Sequence, residues 1–259
     1  MALHNEIEFE NEICDHLGSH GWIYEDKVAQ NYDIEKAVYT PDLIAWVQEA
    51  WPDAWQSLQT KFGAKAEDQL LSAVRRELDQ KGTLEVIRGG VSVFGLRSDL
   101  KLAEFKPALG LNEEILKRYK ANRLRVVRQI KYSLHNENCI DLVLFLNGIP
   151  VATVELKTDN TQSIDDAVYQ YKKDRQPKPA GQKPEPLLSF PSGALVHFAV
   201  SNREVQMATK LEGFKTFFLP FNKGSDPGGK DCGKGNPLSD GHQTAYLWEE
   251  VWECDSWLE

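Results

Sequence analysis

Three charged residues lie in two strongly apolar stretches of this chain, where charge is costly unless it is paired or bound to an ion. Asp141 opens the first stretch, and Glu155 and Lys157 close the second, which follows Asn147-Gly148. Carboxylates are hard oxygen ligands that suit Mg²⁺, and an ammonium can orient water or offset charge on a phosphorane-like transition state. The pattern predicts magnesium-dependent phosphodiester hydrolysis, with Asp141, Glu155 and Lys157 as catalytic residues.

The register of the hairpin decides whether the two acids can share one ion. Asn147-Gly148 is a strong signal for a two-residue turn, and a strict turn of that length pairs Asp141 with Val154. Asp141 and Glu155 would then point to opposite faces of the sheet. The site therefore requires a β-bulge or an odd-length loop between Leu142 and Val154. On spacing alone, an ion pair on an edge strand is an equal alternative.

From Asp141 onward the chain resembles the PD-(D/E)xK nuclease domain of the restriction subunit of type I restriction–modification enzymes. The matching segments, in chain order, are residues 141–150, 154–158, 166–175, 197–202, 218–224 and 235–237. Phe9-Glu10 and Gly21-Trp22 are also similar, whereas the tryptophan-rich helices between match weakly. Ile140 stands where the motif's name has proline. Several matching segments in the right order are more specific than the three charged residues alone.

The resemblance implies a role for individual residues. Asp141 and Glu155 would bind the metal ion, and Lys157 would serve the attacking water and the phosphate. A glutamate on the first helix would be a further metal ligand, for which Glu10 is the candidate and Glu6 the alternative. For either glutamate, an exposed acid on a helix surface is the competing interpretation.

Relatives carry a glutamine–tyrosine motif on the helix after the lysine, where this chain has Gln170 and Tyr171. A strict Gln-x-x-x-Tyr is not present, because Asp174 holds the fourth place after Gln170. We therefore expect Gln170 and Tyr171 to contact the site or DNA, without assigning which. The candidates for contacts to the DNA backbone are basic residues: Arg123, Arg125, Arg128, Lys172 and Lys173.

The net charge of −9 is unusual for a protein that holds DNA through its own surface. Either DNA contact is confined to a local patch, or another domain or subunit supplies most of it. The run of basic residues from Lys117 to Lys131 could form such a patch. A solvated helix end and strand face is, however, the commoner origin of such a run.

Hydrophobic periodicity predicts helices near residues 6–17, 40–50, 64–80, 113–121 and 162–173, the second resuming after Pro52. It predicts strands at residues 83–88, 91–94, 124–134, 140–146, 151–156 and 194–201, and weaker ones at 204–211 and 216–218. The sum is typical of the α/β or α+β class, with a restriction-endonuclease-like core of a mixed sheet flanked by helices.

We expect one endonuclease domain over residues 1–259. Its helical part would span about 1–82, its nuclease core about 83–220, and a glycine-rich loop and linker about 221–259. The resemblance implies that a helicase-like motor domain of the same polypeptide follows.

Mg²⁺ is the expected cofactor, and ATP would serve only the full-length subunit. Double-stranded DNA and the modification and specificity subunits are the expected partners. We see no secretory signal and no apolar run that could span a bilayer, so we expect no membrane partner and a cytoplasmic location.

Three other interpretations remain open from the sequence. The first is a stand-alone DNA repair or resolvase nuclease of the same fold. The second is a degenerate nuclease fold that serves as a non-catalytic docking module. The third is nucleotide binding by residues 228–234, which nearly spell a phosphate-binding loop, although Gly235 replaces its Ser or Thr.

Overall fold

The structure is a computed structural model that describes residues 2–158, 163–224, 235–239 and 241–259, with side chains from residue 6 onward. In this part of the chain the α-helices are α1 (Ala2–Ser19), α2 (Thr40–Ala50), α3 (Pro52–Phe62), α4 (Ala66–Lys81), α5 (Thr83–Gly89), α6 (Glu113–Ala121), α7 (Ile164–Lys173) and α8 (Cys254–Trp257). The strands are β1 (Ile23–Tyr24), β2 (Tyr32–Asp33), β3 (Val38–Tyr39), β4 (Leu124–Lys131), β5 (Cys139–Leu146), β6 (Ile149–Leu156), β7 (Val196–Val200), β8 (Val205–Ala208) and β9 (Leu219–Pro220).

A seven-stranded mixed sheet, in the order β1-β4-β5-β6-β7-β8-β9, is the centre of the described fold. Strands β4, β5 and β6 are antiparallel neighbours. Strands β6 and β7 run parallel, and α7 lies in the connection between them. The predicted class, a mixed sheet flanked by helices, is confirmed.

Both faces of the sheet are buried at its central strands, β5 and β6. On β5, Leu142 and Leu144 face a core built with residues of α1 to α5, whereas Val143 and Phe145 face a second core built with α7. All residues of β6 are buried, as in strands covered on both sides. An acid on β6 is therefore held away from water.

Two prolines set the start of neighbouring helices. Pro41 and Pro52 each lie in the first turn of a helix, where the missing N–H costs nothing. Trp51 ends α2 and precedes α3. The predicted interruption and resumption at Pro52 are confirmed.

The predicted strand at residues 83–88 is wrong, because this segment is helix α5. Its β-branched composition favoured a strand, but Thr83, Val86 and Ile87 are buried on one face at helical spacing. The Thr83 hydroxyl also donates to the Gly193 carbonyl at 2.6 Å, across the fold. Tertiary packing overrides the local preference here.

Two further predicted strands are also wrong. Residues 91–94 form only isolated bridges, Val91 with Leu100 and Phe94 with Leu96. The strand expected at 216–218 lies slightly later, at β9. The Thr216 hydroxyl accepts the backbone N–H of Glu212 at 2.7 Å, so this residue closes a local turn.

The described helices include none that is long and apolar enough to cross a membrane. The glycine-rich segment 228–234, on which the nucleotide-binding alternative depends, lies outside the described residues.

Candidate active site

The turn between β5 and β6 has the two-residue form that the sequence predicts. Leu146 pairs with Ile149, and the two residues between them, Asn147 and Gly148, have φ values of 49° and 80°. Two positive φ angles are characteristic of the tight hairpin turn that Asn-Gly favours. The Asn147 side chain also accepts the N–H of Arg123 at 2.6 Å, which ties the turn to β4.

A β-bulge follows this turn on β6. Leu144 pairs with Ala152, whereas Phe145 pairs with Pro150, so Val151 is an extra residue. The bulge that the chemistry requires between Leu142 and Val154 is confirmed.

The bulge brings Asp141 and Glu155 level with each other. Leu142 pairs with Val154, so the next step of the ladder sets the two acids opposite one another on the same face. The backbone N–H of Leu156 donates to Asp141 Oδ2 at 2.8 Å. Asp141 is therefore anchored against the end of β6, beside Glu155.

Glu155 is fully buried, and among the described residues only one of its carboxylate oxygens has a hydrogen-bond partner. Its Oε1 accepts a hydrogen bond from Arg175 Nε at 2.7 Å, while its Oε2 has no hydrogen-bond partner among the described residues. Burial and the charge of Asp141 raise the pKa of Glu155 to about 8, outweighing Arg175. A buried carboxylate oxygen without a donor is costly, and a bound cation would satisfy it.

Lys157 contacts the first helix. Its Nζ lies 3.1 Å from Glu6 Oε1, and the side chains are 12% and 27% exposed. Glu6, the alternative metal ligand, thus contacts the candidate catalytic lysine. This ion pair fixes the ammonium at the edge of the site.

Glu10 is buried beside Asp141, so the interpretation as an exposed helix-surface acid is wrong. Its Oε1 accepts from Arg128 Nε at 2.7 Å. Gln129 Nε2 donates to Glu10 Oε2 and to Asp141 Oδ1, both at 3.3 Å, and so bridges the two carboxylates. Burial raises the pKa of Glu10.

Gln129 has a strained backbone. Its φ is 49°, inside β4, between two regular pairs formed by Arg128 and Ile130. A non-glycine residue in the left-handed region costs on the order of 1–3 kcal/mol, and such strain collects at functional sites. No sequence signal marked this residue.

Asp141, Glu155 and Glu10 do not form a preformed set of three metal ligands among the described residues, and their roles as ligands stay predictions. Within the described ranges, no group of three or more His, Cys, Asp or Glu residues is placed to hold an ion. Glu10 therefore lies next to the site without completing a preformed ligand set. Mg²⁺ commonly takes one or two carboxylates, together with waters and substrate phosphates. Asp141 and the free Oε2 of Glu155 fit that pattern.

Tyr171 points into the core. It is fully buried, and its hydroxyl lies 2.8 Å from Thr153 Oγ1, which is 2.7 Å from His197 Nδ1. Burial raises the pKa of Tyr171 well above its usual value and lowers that of His197 to about 3. Because Tyr171 is fully buried, it is not exposed for a contact with DNA, and its contact with the site stays a prediction. Gln170 is partly exposed and stays a candidate for either contact.

Arg175 is a further residue beside the site that the sequence analysis did not assign. It follows α7, is 6% exposed, and holds Glu155. Burial opposes its charge, but the Glu155 carboxylate outweighs burial and raises the pKa of Arg175. The sequence did hold one signal for this residue, because Arg175 is the last residue of segment 166–175, which carries the resemblance to the nuclease family.

The basic patch is largely neutralised within the fold. Arg125 is 4% exposed and donates to Asp42 and Glu25, so it is not available as a DNA contact. Arg123 also contacts Asp42, at 3.1 Å, with 30% of its side chain exposed.

The remaining candidates for DNA contacts differ in exposure. Arg128 is engaged with Glu10. Lys172 and Lys173 lie in the last turn of α7, partly exposed and exposed respectively, and remain candidates.

A mixed sheet between helices, with a bulged hairpin that sets two acids and a lysine together, is consistent with a restriction-endonuclease-like fold. The chain belongs to the family described as type I restriction enzyme R protein N terminus, whose model matches residues 4–216. A search of curated proteins found no matching relative. Membership supports a nuclease-related role in a restriction system, in a complex with DNA and other subunits.

Proposed function

We propose that this chain is the nuclease domain of a type I restriction subunit and hydrolyses phosphodiester bonds of double-stranded DNA with Mg²⁺. The observation that carries the proposal is the bulged hairpin, which sets Asp141 level with Glu155 and leaves a buried Glu155 oxygen without a donor. Family membership supports the same function.

Asp141 and Glu155 would hold the ion. When bound, Mg²⁺ would polarise the phosphate and lower the pKa of its water. Glu6 holds the Lys157 ammonium at the edge of the site, where it can orient water and offset developing negative charge. Gln129 and the N–H of Leu156 fix the Asp141 carboxylate, so that it is preorganised for its role.

We further propose that the remaining expected partners bind outside the described fold. The modification and specificity subunits would supply sequence recognition, and a downstream motor domain of the same polypeptide would use ATP. The net charge of −9 and the internal pairing of Arg123, Arg125 and Arg128 support DNA binding mainly by other domains or subunits. Such an assembly would act in the cytoplasm.

The test is DNA cleavage by the assembled restriction enzyme with Glu155→Ala or Lys157→Ala in this chain. Both changes abolish cleavage and leave ATP hydrolysis and translocation intact. Lys210→Ala is the matched control, because Lys210 pairs with Glu212 at 2.8 Å. This substitution removes an exposed ion pair outside both the site and the basic run from Lys117 to Lys131. Cleavage that survives either site substitution contradicts the proposal.

Two outcomes point to the other interpretations. Cleavage by the isolated chain without ATP or partners favours a stand-alone nuclease. A chain with no affinity for Mg²⁺ or Mn²⁺ supports a docking module.

A further inference from the structure

Arg175 lies at the junction of three elements that build the site. It follows α7, and its backbone N–H donates to the Gln170 carbonyl at 3.2 Å. Its guanidinium is buried, with Cζ 5.7 Å from the centre of the Tyr132 ring on one side. A buried guanidinium needs hydrogen-bond acceptors for its N–H groups, and the acceptors of Arg175 show which parts of the site it contacts.

Those partners lie on the two strands that carry the acids. Nε donates to Glu155 Oε1 at 2.7 Å, near the end of β6. Nη2 donates to the Cys139 carbonyl at 2.8 Å, at the start of β5 and two residues before Asp141. One rigid, planar group therefore fixes both strand ends.

We propose that Arg175 is a positioning residue for the cation site. It holds Glu155 through Oε1 and thereby directs the free Oε2 toward the position shared with Asp141. The inference rests on the proposed function, because it needs an ion at that position. Groups that orient a metal ligand typically account for about 10- to 100-fold in metal affinity.

The charge of Arg175 has two opposing effects on cation binding. The guanidinium repels a nearby cation, but it also lowers the pKa of Glu155 and so favours the ionised ligand. If positioning dominates, removal weakens binding, because the Glu155 carboxylate loses its fixed orientation. Lysine keeps the charge but offers a point donor in place of a planar fork, so it separates the effect of charge from that of positioning.

The experiment measures Mn²⁺ binding to the 259-residue chain by electron paramagnetic resonance of the free ion. Arg175→Lys and Arg175→Gln each weaken Mn²⁺ binding by about 10-fold or more. Arg125→Lys is the matched control, because Arg125 forms an equally buried pair with Asp42 away from the acids. It lowers the melting temperature but changes Mn²⁺ affinity less than about twofold, as expected for an independent site.

Equal or tighter Mn²⁺ binding by folded Arg175 variants overturns the positioning role and leaves the proposed function standing. An unaltered chain that binds no Mn²⁺ overturns both. Circular dichroism reports whether the variants fold.

If they do not fold, a crystal of the unaltered chain soaked in Mn²⁺ decides. The expected density has the ion on Glu155 Oε2, with Arg175 Nε still donating to Oε1. An ion bound by both Glu155 oxygens, or a displaced Arg175, overturns the inference.

Discussion

Glu155 shows how burial prepares an acid for a cation. Its carboxyl is buried away from water, and Asp141 lies opposite it on the neighbouring strand. Burial and that second negative charge raise the pKa of Glu155 to about 8. Near neutral pH the ion-free protein therefore holds this acid largely protonated, and a cation must displace the proton.

Metal affinity should consequently depend on pH. Because the pKa of Glu155 is raised to about 8, its charged form is scarce below that pH and dominant above it. We expect Mg²⁺ affinity to rise about tenfold per pH unit toward pH 8, since one proton is released, and then to level off. Calorimetric titration between pH 6 and 9, in buffers of different ionisation enthalpy, measures both the slope and the proton release.

The control for that titration is Glu155→Gln, which has no proton to release and lacks the ligand charge. It should bind Mg²⁺ weakly at every pH in the range. An unaltered chain with the same affinity at pH 6 and pH 8 would contradict the expectation.

The hairpin turn is the element that depends most on a single glycine. Gly148 has a φ of 80°, and a Cβ there would lie 2.5 Å from the Tyr39 carbonyl oxygen and 2.8 Å from the Leu43 nitrogen. Gly148→Ala should lower the free energy of unfolding by about 2–4 kcal/mol, because backbone atoms must move. Urea denaturation measures the loss.

Gly181→Ala is the matched control for the turn. Gly181 also has a positive φ, of 72°, but nothing lies within 4 Å of its Cβ position. The substitution should cost only about 1–2 kcal/mol, which is the cost of a positive φ without crowding. Equal losses at Gly181 and Gly148 would show that crowding at the turn is unimportant.

Helix α7 is held to the sheet by a buried polar chain of Tyr171, Thr153 and His197. Tyr171→Phe removes one hydroxyl, while Thr153 keeps His197 as a partner. We expect a loss of about 1 kcal/mol in unfolding free energy and no change in DNA cleavage by the assembled enzyme. A large fall in cleavage with unchanged stability would establish Tyr171 as a site residue.

The elements differ in how far the sequence predicts them. The bulge at Val151 was predictable, because two acids can share an ion only if the register shifts. Helix α5 was not, because Thr83, Val86 and Ile87 favour a strand locally and become helical through packing. The roles of Gln129 and Arg175 depend on partners far away in the chain, which spacing alone does not reveal.

At the scale of the whole molecule, the net negative charge argues against tight DNA binding by the isolated chain. The chain carries −9, and Arg123, Arg125 and Arg128 face acids of the same fold. We expect the isolated chain to bind a short duplex more weakly than about 10 µM at physiological salt. Fluorescence anisotropy measures this affinity.

The same assay tests the two lysines of α7. Lys172→Glu with Lys173→Glu should weaken the residual binding several-fold at low salt, because these partly exposed and exposed lysines are the remaining basic candidates. Submicromolar binding by the unaltered chain would overturn the view that other domains or subunits supply most of the DNA binding.

The overall class was predictable from alternating apolar runs, because strands and helices differ in period. The assignment of the helices to the two faces of the sheet was not predictable from the sequence. Which helices cover which face depends on chain topology, and the N-terminal helix reaches the site through Glu6 and Glu10 only once the sheet is assembled.

The extra residue at Val151 also governs which length changes this hairpin can tolerate. Asp141 and Glu155 are separated by an even number of positions. A two-residue turn without a bulge pairs only residues that are separated by an odd number of positions. Removing any one residue between the two acids would send them to opposite sides unless the bulge vanished at the same time. Homologous chains should therefore vary this segment in steps of two, or trade the bulge for a three-residue loop.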